Sequence, residues 1–247
     1  MATHYIIMSS SYSKGKRIAL NYIYTDEEYI KLKEIVKEIV DKCGEDVSIS
    51  THFIQTDSED WEAVVEKDYF FKDVEVIKTK EEFIKLILQD RVLKGLDVAK
   101  YILSKVRCTH LKLEKLVYLC FAEYLCKYDK KLFEDKIFAY KLGPVIESVY
   151  NKYKGSKYQK LEGEEDIMVN NIYELPSKSR ILFAIDGINK ISIIDEVIEK
   201  YGKLTAKDLV SLTHQKNTPW DFSGRGLIAD KIIEDEIIKK YHSNEII

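Results

Sequence analysis

The sequence predicts an α+β protein in two domains: a small acidic α/β domain over residues 1–94, a mixed sheet with helices, followed by a mainly α-helical domain over 95–247. Three observations carry this. Strand-like and helix-like patterns alternate before residue 95, whereas beyond it apolar residues recur almost only at helical spacing. The charge balance changes at the same place. Residues 1–94 hold 14 Lys and Arg against 19 Asp and Glu, a net −5, and the rest holds 25 against 23, a net +2. Finally, 45% hydrophobic and 33% charged residues in a chain of 247 describe a globular protein able to bury a core.

The elements follow in order. His4 to Ser9 and Arg17 to Tyr24 read as strands around a polar Ser-Tyr-Ser-Lys-Gly turn. Thr25-Asp-Glu-Glu28 is a capping box opening a helix with Ile35, Ile39 and Cys43 on its apolar face, and Gly44 ends it. Val47, Ile49, Thr51 and Phe53 alternate with polar residues, which predicts a strand with one buried face. A short helix is expected at Trp61 to Val65 and a last strand at Val74 and Val76. Thr79-Lys-Glu-Glu82 caps a helix carrying Phe83, Ile84, Ile87 and Leu88.

Beyond residue 95, Leu96, Ala99, Ile102, Leu103 and Val106 line one helix. Leu111 to Lys127 is apolar nearly all round, a central buried helix whose charges Lys112, Lys115, Glu123 and Lys127 share one exposed stripe. An apolar run from Ile137 to Leu142 leads into Gly143-Pro144. Gly143 permits a turn geometry barred to other residues, and Pro144 suits the first position of a helix using Val145, Val149 and Tyr153. Lys157 to Pro176 reads as a loop or weak hairpin. Ser179 to Tyr201 is helical with a break near Gly187, Thr205-Ala-Lys-Asp208 is a second clear capping box, and a final helix uses Ile228, Ile232, Ile233 and Ile237.

Several function classes recede at this point. A net charge of −3 argues against a general nucleic-acid binder, whose phosphate contacts need a basic surface. No apolar run approaches the roughly 20 residues of a membrane span, and the apolar run near Met1 is too short for a secretory signal, so a cytoplasmic location is expected. Cys43, Cys108, Cys120 and Cys126 show no CxxC spacing, and buried reduced thiols explain them better than a zinc site at Cys108, His110 and Cys120. No phosphate loop follows any strand, and no nucleophile–base pair is evident, so catalytic residues, cofactor and metal are all expected to be absent. Asp57, Glu59, Asp60 and Glu62 crowd a helix start around Trp61. A basic partner or metal could use them, but carboxylates favoured by a helix N-terminus account for the cluster as well.

Three separated segments remain: Leu113-Glu-Lys-Leu-Val-Tyr-Leu119, Ala139-Tyr-Lys-Leu-Gly-Pro-Val145, and Leu212-Thr-His-Gln-Lys-Asn-Thr-Pro-Trp220, the last preceded by Tyr201-Gly-Lys-Leu-Thr205. In content, order and spacing they resemble the SocA-like antitoxin family, also called the Panacea domain and linked to phage-associated GepA-like proteins. The resemblance covers about 95 to 242 and leaves residues 1–94 unmatched. It implies a helical domain without catalytic chemistry that binds and neutralises a cognate toxin; residues 1–94, outside the resemblance, are expected to add a second interaction surface. A phage- or mobile-element-encoded adaptor or inhibitor of host defence is the alternative, and an enzyme ranks last.

Either way the expected partner is a protein, and the expected partner-binding residues are Tyr140, Lys141, Gly143, Pro144, Tyr150, His214, Trp220 and Lys115. The bland reading stands beside each. Trp220 also suits a core, His214 a buried hydrogen bond, and the tyrosines a packed layer under the turn with wet hydroxyls.

Overall fold

The computed structural model describes residues 1–25, 29–156, 160–161, 174–228 and 231–246. The chain is α+β, and its contacts divide it into two units, Met1–Val92 and Leu93–Ile247.

The first unit is a four-stranded sheet with helices on both faces. Strands β1 (Ala2–Ser11) and β2 (Lys16–Ile23) form an antiparallel hairpin. Helix α1 (Tyr29–Cys43) leads to β3 (Ser50–Thr56), α2 (Trp61–Lys67), β4 (Val74–Val76) and α3 (Lys80–Arg91). The strand order is β3-β1-β2-β4, with only β2–β4 parallel. Side chains alternate across a strand, so Tyr5, Ile7, Ile18 and Leu20 meet Leu32 and Ile39 of α1 and Phe83 and Ile87 of α3 on one face. Ile6, Met8 and Ala19 meet Val64 and Phe71 on the other. Burial on both faces explains why Tyr5 to Met8 is an unbroken apolar run. Thr79 caps α3 as expected, its hydroxyl accepting from Glu82 N at 3.2 Å. Residues 26–28 of the Thr25 capping box lie outside the described residues.

The second unit is built around α5 (His110–Tyr128), which follows α4 (Gly95–Lys105) and the two-residue strand β5 (Cys108–Thr109). Leu113, Leu116, Val117, Leu119, Phe121 and Ala122 of α5 are all at most 1% exposed. Each such side chain contributes ~1.5–3 kcal/mol of transfer free energy when large, so α5 is the apolar axis of the unit. A hairpin of β6 (Ile137–Tyr140) and β7 (Gly143–Ile146) comes next, then α6 (Glu147–Tyr153) and β8 (Lys160–Leu161), which pairs with β5. Helices α7 (Glu174–Leu182), α8 (Gly187–Tyr201), α9 (Ala206–Thr213), α10 (Pro219–Phe222) and α11 (Asp235–Tyr241) complete the shell. The expected break at Gly187 and the Thr205–Asp208 capping box are both present.

Four expectations are corrected. Gly143-Pro144 begins a strand, and helix α6 starts only at Glu147. Lys115 is wholly buried and leaves the exposed stripe of α5. β3 starts at Ser50, and within it His52, Ile54 and Thr56 are the more buried set while Thr51 and Phe53 are exposed, because the better covered face is the one toward α2, where Ile54 packs with Val64 and Phe71. The last helix starts at Asp235. Ile228 is exposed, and Ile232 instead bridges Phe138 beside β6. Most of the Lys157–Pro176 loop lies outside the described residues.

Candidate functional site

The three motif segments converge on the β6–β7 hairpin. Its turn, Lys141-Leu142, joins paired residues Tyr140 and Gly143, and Gly143 takes φ +104°, outside the range side chains favour. β6 is held on its outer side by the chain at 231–233, where Ala139 N donates to Lys231 O and Ile233 N to Ile137 O, both at 2.8 Å. Among the described residues the outer edge of β7 has no further strand. Two consecutive side chains of α5 stand in for one: Ile146 N donates to Glu114 Oε2 at 2.9 Å, and Lys115 Nζ donates to Pro144 O at 2.6 Å. Buried backbone groups require such partners, and Glu-Lys at this point of α5 supplies both an acceptor and a donor.

The close approach explains the glycine. A Cβ on Gly143 would fall 2.8 Å from Lys115 Cε and 3.1 Å from Thr213 Oγ1. Burial pushes the Lys115 ammonium down to about 8, against the raising effect of the Glu114 and Glu245 charges. Glu114 also meets His110 Nε2 at 3.1 Å.

The α9–α10 corner closes the other side. Thr218 caps α10, with Pro219 at its first position, and its hydroxyl also donates to Thr213 O at 2.9 Å. Trp220 Nε1 donates to Tyr140 O at 2.8 Å, so the indole is a core side chain that pins the hairpin tip. His214 stacks on Trp220, ring centroids 3.7 Å apart and 6° from parallel. Burial, then the Lys115 charge, lowers the His214 pKa. Its Nε2 is buried without a partner, so it makes no hydrogen bond to a carbonyl there. Tyr150 packs between His110 and Tyr140 at centroid distances of 5.6 and 5.4 Å.

The eight expected residues therefore fall into three sets. Lys115, Gly143, Pro144 and Trp220 are buried and hold the hairpin; Tyr140, Tyr150 and His214 are half-buried; Lys141 is exposed. Sequence reasoning missed what surrounds Lys141. The loop 224–228 lies flush on the turn, since a Cβ on Gly226 would fall 2.5 Å from Lys141 N. Leu227, 86% exposed, and Ile228, 56%, follow Gly226 in that loop, and Leu142 of the turn is 54% exposed. Arg225 pairs with Asp221 beside them. The corner thus ties Glu114, Lys115, Thr218 and Trp220 to backbone and presents Lys141 and Leu142 at its exposed tip. Cys108 and Cys120 are buried free thiols, both pushed up by burial, Cys108 to about 11. Among the described residues no three His, Cys, Asp or Glu converge as a metal site, and no helix is long and apolar enough to cross a membrane.

Residues 113–221 match the family described as antitoxin SocA-like, Panacea domain. The chain is also similar to Antitoxin SocA of Caulobacter vibrioides (strain NA1000 / CB15N), 25% identical over 154 residues, which covers 56% of this chain and 79% of that protein. No solved structure matches. All three motif segments fall within 113–221, and the N-terminal part is unmatched.

Proposed function

With an antitoxin SocA-like, Panacea domain at residues 113–221 as the premise, we propose that the chain is an antitoxin that binds a cognate toxin protein and neutralises it by contact, in the cytoplasm. The observation that carries this reading is the hairpin tip. Lys141 and Leu142 are exposed at the tip of a corner that Lys115, Glu114 and Trp220 hold rigidly, and the exposed Leu227 and Ile228 follow Gly226 in the loop packed on that turn. Exposed apolar groups gathered at one place mark interaction surfaces, and a preorganised loop loses little entropy on binding. Tyr140, Tyr150 and His214 form the half-buried rim. Gly143, Pro144, Lys115 and Trp220 act from behind, by positioning. No step in this function needs bond chemistry, so the chain acts as a binding protein.

Co-expression with the growth-inhibiting product of an adjacent gene tests this. Growth should be restored and the two proteins should purify together. A growth inhibitor that is neither bound nor neutralised contradicts it.

The unmatched N-terminal unit, which has its own cores, favours a second reading: an adaptor or inhibitor of host defence carried by a phage or mobile element. In that case the chain would protect against no neighbouring gene product, yet would still hold a host protein through its first unit.

A further inference from the structure

The two edges of the N-terminal sheet are treated differently. β4 is three residues long, and its central Glu75 is held by Lys14 and Lys16. Short, charged edges resist pairing with other chains. β3 has none of this protection. It runs seven residues, Ser50-Thr-His-Phe-Ile-Gln-Thr56, without a charge at neutral pH or a proline, in unbroken register with β1 from Ala2↔Thr56 to Met8↔Ser50. Among the described residues no backbone hydrogen bond engages its outer edge.

A groove of about 1230 Å³ lies at the Thr56 end of that strand. Its wall includes every residue from Phe53 to Ser58. Consecutive strand side chains point to opposite faces, so both faces of this end of β3 border the groove, with Met1, Thr3 and Tyr24 beside them. The two sides of the groove differ. On one, Phe53 is exposed and packs against Tyr5 and Tyr24, centroids 4.8 and 5.3 Å away. On the other stands α2, and the carboxylates of Asp57, Asp60, Glu62, Glu66 and Asp68 face Lys67 as the single basic side chain of the lining. None of these five carboxylates makes an ion pair among the described residues.

We propose that this groove binds an extended segment of a protein partner, with basic and apolar residues in alternation, by adding it as a fifth strand to β3. Main-chain bonds to β3 supply the general affinity. Alternate side chains then select the sequence, lysine or arginine toward α2 and apolar groups toward Phe53 and Tyr24. The proposal deepens the reading of residues 1–94 as a second interaction surface and rests on it, but needs no contribution from the hairpin tip.

The test uses the full chain and a fluorescein-labelled peptide alternating lysine and valine, read by anisotropy. Controls are the same peptide N-methylated at every amide, so that neither edge can pair, an alternating glutamate–valine peptide, and the variant Glu62→Lys/Glu66→Lys with its fold checked by circular dichroism. Binding that weakens with salt, and falls at least ~10-fold both on N-methylation and in the variant, is the expected result. Equal binding of the N-methylated peptide overturns strand addition even if the variant misfolds, because that arm uses the unaltered chain. Binding unaffected by the charge reversal, binding of the glutamate peptide at equal strength, or no binding up to ~1 mM would also overturn it. Since no toxin is present, a chain that neutralises its toxin but ignores the peptide refutes this inference alone, and the reverse pattern refutes the antitoxin reading alone.

Discussion

Lys115 donates from within the core to the carbonyl of Pro144, 2.6 Å away, while its neighbour Glu114 accepts from Ile146 N. One dipeptide of the central helix thus completes the free edge of a hairpin. A buried ammonium is costly, and its retention follows from the carbonyl that would otherwise be orphaned.

The Lys115 amine should make stability rise with alkaline pH. Its folded pKa, about 8, lies below the ordinary 10.5, so the unfolded chain holds the proton more tightly. The penalty is complete below pH 8 and is relieved as pH climbs toward 10.5, a change of up to ~3 kcal/mol. Urea unfolding of the native chain and of Lys115→Met at pH 7.5 and 9.5 checks this. The native chain should gain on the variant at the higher pH; a constant difference contradicts it.

Gly143→Ala should destabilise by about 2 kcal/mol or more, because a positive φ and the Lys115 and Thr213 contacts both oppose a side chain. Gly155→Ala, with ordinary φ and open space around it, should change stability by no more than about 0.5 kcal/mol. Equal effects in chemical denaturation would remove the special status of Gly143.

A second buried group predicts the opposite slope. His242 Nδ1 lies 2.9 Å from Glu245 Oε1, which also accepts from Tyr118, and its Nε2 lies 3.7 Å from Glu123. Burial pulls the imidazole pKa down, but bonds and charge from Glu123 and Glu245 outweigh it and raise it to about 9. Burial meanwhile pushes the Glu245 carboxyl up against the pull of His242. Because the folded pKa of His242 exceeds the ordinary 6.5, its contribution is complete below pH 6.5 and is lost as pH rises through about 9. The stability difference between the native chain and His242→Asn should therefore shrink from pH 6 to pH 9.5. If it grows, the assignment of charge is wrong.

Local signals were legible where the physics is local. Thr79 and Thr205 announce helix starts because their hydroxyls cap amides three residues on. Pro144 and Pro219 look alike by that standard, yet only Pro219 opens a helix. The difference stands in the preceding residue, since Thr218 offers a capping oxygen and Gly143 does not. What makes Pro144 a strand residue is remote: β6, and the Glu114–Lys115 pair about thirty positions earlier. Lys115 itself left a trace. At 100° per residue, Lys112, Glu123 and Lys127 fall within about 60° of arc, and Lys115 stands about 60° to the far side of Lys112. Leu227 and Ile228 carry no such trace, because only the packing of Gly226 on Lys141 brings their loop to the turn.

The hairpin tip is where the account is most exposed to test. Growth rescue and co-purification with the adjacent growth inhibitor should be measured for Lys141→Glu/Leu142→Asp beside the native chain, with urea midpoints for both. Both residues are exposed, so the account predicts unchanged stability within about 0.5 kcal/mol together with loss of rescue and capture. Full rescue and capture by the folded double variant would contradict it.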